Sequence, residues 1–376
     1  MSHKEKLTIV KAFAKNYRRE NRKEKGELLT RLQTATGYHR KYLIVILKNI
    51  QEKKKIIRRQ RQSKYLSILK PLRQLWAVSN YACGKRLIPI VPVYLDRLIA
   101  FKELTLTKKE KRLLLMMSPA TMDRLLTHDR KRINLKSRSR TKPGTLLKHQ
   151  IPIRTWADWD NAKPGFLEID SVHHCGNSLF GEYIFTLDTV DVCTGWNECA
   201  AHQGRSEYNT VSALETIRNR LPFPLLGIDF DCGGEFVNYH LIRYADQNKI
   251  SYTRSRETIK NDQAYIEQQN YSVVRRYVGY QRLDTPEQLE ILNQLYRKLS
   301  DYQNFFQPVM RLKTKTRDGA RVTRKYDKPK TAYQKILERE DIPKKTKRQL
   351  TERFLKLNPK RLILRITELG KKLIRG

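Results

Sequence analysis

Residues 225–236 read LLGIDFDCGGEF. A short apolar run, Leu225–Phe230, ends on a carboxylate, Asp231, and is cut off by Gly233-Gly234. An apolar run this short, bounded by a glycine turn, reads as a strand rather than a helix. A helical pattern follows from about residue 238 to Asn248, then a last short strand at Ile250–Ser255. Upstream lie three more strand-like runs: Phe166–Asp170 (FLEID), Tyr183–Val190 (YIFTLDTV) and Trp196–His202, the last reached through Thr194-Gly195. Glu207–Arg220 is an amphipathic helix stopped by Leu221-Pro222, and a long helix is expected from Asp262 to about Gly279. Three consecutive strands followed by alternating helices and strands predict a mixed sheet flanked by helices.

Three acids hold special places in that pattern. Asp170 ends the first strand, Asp231 ends the strand before the Gly-Gly turn, and Glu267 lies on the long helix, with 60 and then 35 residues intervening. Strand ends and an adjacent helix can bring such side chains to one point. A carboxylate cluster repels itself unless cations sit in it, and hard oxygen ligands select Mg²⁺ or Mn²⁺. Two such ions suit in-line displacement at phosphorus.

The D…D-(35)-E spacing, the block Asp231-Cys232-Gly233-Gly234-Glu235-Phe236 and the block KNDQAYIEQQN at 260–270 resemble the catalytic core of the retroviral integrase and bacterial insertion-sequence (DDE) transposase superfamily. The resemblance covers roughly residues 156–282. It implies an RNase H-like fold and a two-metal mechanism, with Asp170 bridging both Mg²⁺ (or Mn²⁺) ions and Asp231 and Glu267 each completing one site. Cys232 departs from the pattern, where Asn is frequent. The zinc module of retroviral relatives has no counterpart, since no Cys precedes Cys83, so no zinc is expected.

Other residues compete for these roles. Asp229 is two before Asp231, so an extended strand turns both side chains to one face. Asp188 and Asp191 end the second strand, Asp191 shaping the turn to Thr194-Gly195. Asp262 suits a helix cap, and Glu235 a place beside the turn. Gln263 and Asn270 share a helical face with Glu267 and are candidates to touch substrate, while Ala264, Tyr271 and Val274 form a candidate buried stripe. His173-His174-Cys175 cannot make one metal site from adjacent strand positions; His174 is either structural or a DNA contact. Lys260 and Arg254 could hold phosphates.

The charge frames this core. Of 376 residues, 77 are Lys or Arg and 38 Asp or Glu, a net +39. Residues 1–150 hold 39 basic and 10 acidic side chains, residues 151–280 hold 12 and 17, and residues 281–376 hold 26 and 11. Two basic arms flanking a mildly acidic middle fit a polyanionic partner whose affinity falls with salt. In the first arm, Glu27–Leu32, the Thr36-Gly37 break and His39–Lys48 have the layout of a helix-turn-helix, with His39, Arg40 and Lys41 leading the second helix. Leu104–Met117 followed by Ser118-Pro119 suggests a second unit, in which Thr121, Met122 and Arg124 face the groove. Between them lies a basic helix with the runs Lys53–Lys55 and Arg58–Arg61. Residues 136–155 read as an extended basic linker, with Arg138, Arg140, Lys142, Lys148 and Arg154 placed to meet phosphates. Lys260 and Asn270 complete the candidate DNA contacts. After a helix at Thr285–Phe305, the stretch Arg311–Lys330 is basic and poorly periodic, and a Lys/Arg-rich helix closes the chain near Thr351–Ile374.

The expected organisation is therefore multidomain α and α/β. It comprises a helix-turn-helix domain at 1–50, a basic helical region with a second such unit at 51–140, and a linker at 141–155. An RNase H-like core at 156–282 and a basic C-terminal region at 283–376 complete it. No apolar run nears the roughly 20 residues of a membrane span, the first 20 residues lack a signal peptide's pattern, and five scattered cysteines form no CxxC pair. A cytoplasmic, nucleoid-associated bacterial protein is the expectation. The expected function is a transposase that binds double-stranded DNA, at element ends and target, as a homodimer or larger synaptic oligomer. It would hydrolyse a phosphodiester and transfer the strand. A DNA-binding relative without activity and an RNase H-like nuclease are the alternatives.

Overall fold

The computed structural model describes residues 1–51, 63–132, 163–230, 239–254, 266, 270–310, 312–319 and 321–375. The chain divides into two compact units, Met1–Lys64 and Tyr65–Gly376.

The first unit holds α1 (His3–Arg19), α2 (Arg22–Thr36) and α3 (Arg40–Gln51). Capping boxes at Ser2/Glu5 and Asn21/Glu24 start α1 and α2 by satisfying amides that a helix leaves open. Gly37, left-handed at φ 67°, ends α2. Val10, Ala14, Leu29, Leu32, Leu43 and Leu47 form a sealed core. Each buried leucine contributes roughly 1.5–3 kcal/mol. The outer face of α3 carries Arg40, Lys41 and Lys48 with Tyr42, Ile44 and Val45, all exposed.

The second unit begins with the helices α4 (Leu69–Val78), α5 (Gly84–Leu87), α6 (Val91–Ala100), α7 (Lys108–Leu115), α8 (Pro119–Leu125) and α9 (Thr127–Arg132). The helix expected from Leu104 starts instead at Lys108. Thr107 and Glu110 form a capping box there, while Leu104 turns into the core. Ser118 caps α8 as expected, its Oγ accepting the Thr121 N–H at 3.2 Å.

The sheet follows: β1 (Phe166–His173), β2 (Ile184–Asp191), β3 (Asn197–Gln203), β4 (Gly227–Phe230) and β5 (Ser251–Arg254). Its order is β3-β2-β1-β4-β5. The first three strands pair antiparallel and β4 and β5 join parallel, the latter through α10 (Glu207–Arg218) and α11 (Tyr239–Asn248). This is the mixed, helix-flanked sheet expected. One face, with Leu167, Ile169, Leu187, Ile228 and Phe230, buries against α10 and α11.

Beyond the sheet come a π-helical turn (Asn270–Arg275), α12 (Arg276–Val278) and α13 (Pro286–Phe306). The described part of the expected 262–279 helix is thus π-helical before it is α. α13 shields the open edge of β3, where unpaired backbone would otherwise invite aggregation. Asn304 Oδ1 accepts the Asn197 N–H while its Nδ2 donates to Asn197 O, both at 2.8 Å. Asn293 does the same for Ala201 at 2.9 and 3.1 Å, and Arg220 Nη1 donates to Cys199 O at 3.2 Å. The early helices share this core: Tyr94 Oη donates to Phe306 O at 3.0 Å and Tyr302 Oη to Val78 O at 2.6 Å.

The C-terminal part departs from expectation twice. The aperiodic stretch at 311–330 contains an antiparallel pair, β6 (Leu312–Asp318) and β7 (Arg321–Tyr326). After α14 (Ala332–Leu337), the single closing helix is two, α15 (Lys344–Lys356) and α16 (Pro359–Arg375). Pro359 cannot continue a helix but can begin one. Asn358 Oδ1 accepts the Lys360 and Arg361 amides at 3.0 and 3.2 Å. Among the described residues no helix is long and apolar enough to cross a membrane, and no disulfide joins Cys83, Cys175, Cys193 or Cys199.

Candidate functional site

Strand alternation puts Glu168 and Asp170 on one face of the central strand β1. The pairing then adds to them: Asp229 of β4 stands beside Glu168, and Asp188 of β2 beside Asp170, with Cys199 of β3 beyond it. Four carboxylates thus share one patch of sheet. Glu168, Asp188 and Asp229 are buried, whereas Asp170 is half-buried. Of these four, Asp170 is the one open to an incoming group.

The buried three are held by short polar contacts. Asp229 Oδ1 accepts from Thr253 Oγ1 at 2.8 Å. Asp188 Oδ1 accepts from Asn197 Nδ2 at 2.7 Å and from the Cys199 thiol at 3.3 Å, while its Oδ2 has no partner among the described residues. Burial pushes the Asp188 carboxyl up to about 7, against the lowering pull of Asn197 and Cys199. The Cys199 thiol is raised for the same first reason, burial, reinforced by Asp188. Glu168 Oε2 accepts the Ile266 N–H at 3.2 Å.

Asp170 itself accepts the Ser171 N–H on Oδ1 at 2.7 Å, and Asn270 Nδ2 donates to its Oδ2. The other amide atom, Asn270 Oδ1, is buried with no hydrogen-bond partner among the described residues. An orphaned carbonyl-type oxygen beside an accessible carboxylate is a hard-oxygen donor pair of the kind Mg²⁺ or Mn²⁺ takes. Among the described residues no three His, Cys, Asp or Glu side chains form a metal-binding group.

Asp231 and Glu267 lie outside the described residues, but Phe230 and Ile266, which immediately precede them, are described. Phe230, immediately before Asp231, pairs with Ile169, immediately before Asp170. Ile266, immediately before Glu267, bonds Glu168; Asn270, three after, bonds Asp170 and gives its own N–H to Ile266 O at 3.2 Å. Both flanks therefore converge on the same two turns of β1's pleat.

The other candidate residues are more scattered. His39, Arg40 and Lys41 are exposed at the start of α3, where Arg40 Nη1 also reaches Gly26 O at 3.2 Å. Thr121 is half-buried and Arg124 exposed on α8, but Met122 is fully buried: its side chain fills the helical core and does not face outward. Arg138, Arg140, Lys142, Lys148, Arg154 and Lys260 lie outside the described residues, as do Lys53–Lys55, Arg58–Arg61, Glu235, Asp262, Gln263 and Ala264. So does the side chain of Arg254. Asp191 does shape the turn, with Oδ2 accepting the Thr194 N–H and hydroxyl at 2.6 Å each and Oδ1 the Gly165 N–H at 2.7 Å. His174 is fully buried and bonds Thr186 Oγ1 at 2.8 Å, and burial lowers its pKa to about 3, so it stays neutral. Sequence reasoning missed Glu168. The signal was present in FLEID, where Glu168 precedes Asp170 by the period of a strand.

No family model matches the chain. It is 36% identical over 321 residues to the uncharacterized protein y4rM of Sinorhizobium fredii, an alignment spanning 85% of this chain and 92% of that one. The chain belongs to the family of that protein. Among solved structures it is similar to retroviral integrases. The catalytic core domain of BIV integrase matches at 15% identity and TM-score 0.26, over 31% of this chain and 70% of that one. The HTLV-2 integrase catalytic core domain in complex with magnesium matches at 16% and 0.30, over 39% and 90%. A chain of the simian T-cell lymphotropic virus intasome matches at 15% and 0.28, over 48% and 55%.

Proposed function

We propose that this chain is a polynucleotidyl transferase of the DDE type, a transposase that binds the ends of a mobile DNA element, cuts a phosphodiester there and joins the freed strand to target DNA. The observation that carries the reading is a convergence: the chain neighbours of Asp231 and Glu267 both contact β1 at Glu168–Asp170, the place where Asp170 meets solvent.

In this reading Asp170, Asp231 and Glu267 hold two Mg²⁺ or Mn²⁺ ions, which supply Lewis-acid stabilisation of the charge that develops at phosphorus. Asn270 fixes the Asp170 carboxylate by donating to Oδ2. Glu168, Asp188 and Asp229 form a buried floor beneath the site. In the first step water attacks phosphorus, the P–O3′ bond breaks, and a 3′-hydroxyl is released. In the second that hydroxyl attacks a target phosphodiester, forming one P–O bond as another breaks. Neither needs a covalent enzyme intermediate, so no Ser, Tyr or Cys nucleophile is required.

The basic arms bind the substrate. α3 enters the major groove of the element end as the recognition helix of a helix-turn-helix, presenting Arg40, Lys41 and Lys48 to phosphates and Tyr42, Ile44 and Val45 to base edges. The exposed Arg124 of α8 adds a further phosphate contact. Bringing two ends together calls for a homodimer or larger assembly.

The test is cleavage of a plasmid carrying the inverted repeats that flank the gene, with purified full-length protein and Mg²⁺. Wild type should give nicked and joined products, chelation should abolish them, and Asp170→Asn should bind the DNA without cutting it. Absence of wild-type product, or full activity of Asp170→Asn, overturns the assignment.

A further inference from the structure

Between α13 and α14 the chain leaves the body of the second unit as the ribbon β6–β7. The base of the ribbon is clamped. Val309 N–H donates to Lys330 O at 2.9 Å, and Lys330 N–H returns to Val309 O at 3.4 Å. The Val309 side chain sits against Gly195 at the β2–β3 turn, where a Cβ would come within 3.2 Å of it. Beyond the clamp, no described side chain of the ribbon enters any of the buried hydrophobic clusters. Described side chains on both faces are exposed, including Val322 and Tyr326 at 40% and 49%.

This construction is costly without a partner. A lone two-stranded hairpin is marginal in water, and both edges of this one are open. Arg311–Tyr326 carries seven basic residues and one acidic. The exposed Arg317 and Lys325 add charge to strands that bury no described side chain. Thr316 opposite Thr323, by contrast, is a favourable pair that carries no charge. Gly319, at φ +55°, makes the tight turn at the tip, between the paired Asp318 and Arg321.

We infer that β6–β7 is an arm that lies in the major groove of duplex DNA, an inference that rests on DNA being the substrate of the site above. An antiparallel ribbon fits a groove about 12 Å wide, whereas the deep, narrow major groove of A-form RNA does not admit one. Strands of six to seven residues reach roughly 20 Å from the clamp, enough to span the groove. The cationic strands neutralise phosphates on its two walls, and the threonine row meets base edges. A membrane surface is a poor match, because the ribbon offers no continuous apolar face. A second copy adding a strand to the open edge would set like charges against each other.

The experiment compares full-length wild type with Arg317→Ala/Arg324→Ala/Lys325→Ala and with Arg317→Lys/Arg324→Lys. Anisotropy on a 30-base-pair DNA duplex and on the same sequence as duplex RNA is read from about 50 to 300 mM NaCl. The alanine set should weaken DNA binding about tenfold or more and flatten the salt slope by about 2–3, near 0.9 for each phosphate that is no longer neutralised. The lysine set should keep the slope, and RNA binding should change little between variants. The inference is overturned if the alanine set binds DNA with wild-type affinity and slope, if the lysine set loses the slope as well, or if the substitutions change only the oligomeric state. A wild type that binds no duplex at all overturns the proposed function too. Cleavage that fails while ribbon-dependent binding persists overturns the function alone.

Discussion

Replacing Glu198 by glutamine isolates the cost of a buried acid in the core of the second unit. Glu198 is 1% exposed. Its Oε1 accepts from Ser300 Oγ at 2.6 Å and Trp196 Nε1 at 3.0 Å, and its Oε2 has no partner among the described residues. Burial raises the carboxyl from 4.5 to about 7, outweighing the lowering pull of those two donors and of Arg220 and Arg353. The native state therefore keeps this proton up to about pH 7, whereas the unfolded chain releases it near 4.5. Between those values the native state binds more protons, so stability falls as pH rises. The full loss is about 3 kcal/mol. Glutamine keeps an acceptor at Oε1 and has no charge to desolvate. Glu198→Gln should therefore match wild type to within about 1 kcal/mol at pH 5 and exceed it by up to about 3 kcal/mol at pH 8. Urea unfolding followed by tryptophan fluorescence at the two pH values measures the gap. A gap that stays constant from pH 5 to 8 refutes the reasoning.

Three other changes probe the site and the frame that holds it. Asn270→Ala removes the donor to Asp170 and should lower Mg²⁺-dependent cleavage about 10–100-fold; wild-type turnover would count against the positioning role. Tyr296→Phe removes a hydroxyl that bonds Thr186 Oγ1 at 2.6 Å, which in turn meets His174, and should cost about 1–3 kcal/mol in chemical denaturation. An unshifted midpoint would contradict that chain of bonds. Gly84→Ala puts a Cβ 2.4 Å from Pro119 O, where α5 crosses α8, and should lower Tm by the equivalent of about 1–3 kcal/mol. An unchanged Tm would show that the two helices can separate.

The elements that are easiest to read are those whose signals are local. YIFTLDTV reads as a strand because β-branched and aromatic side chains crowd a helix and suit a pleated surface. The helix start at Thr285, where Thr285 and Gln288 cap each other, is read as expected, whereas the same kind of box at Thr107 and Glu110 is overlooked in favour of Leu104. β6–β7 is hidden because basic residues and threonines fill most of its positions and its described side chains are exposed, so there is no apolar alternation to detect. Met122 looks like a groove residue because its helix is short and amphipathic, and nothing local says which side of such a helix the rest of the chain will cover.

At the candidate site the division is the same. Sequence alone singled out Asp170 by its place at the end of an apolar run, and Asp231 and Glu267 by their spacing and surrounding blocks. It also offered Asn270 as a neighbour able to touch the site. Only the tertiary structure decided that Glu168, Asp188 and Asp229 join Asp170 on one face, that Asp170 alone of the four meets solvent, and that Asn270 is the donor that steadies it. Spacing along a chain is a property of covalent order, but burial and cross-strand pairing come from register. Register is set by which hydrophobic faces close over one another once the whole sheet has formed.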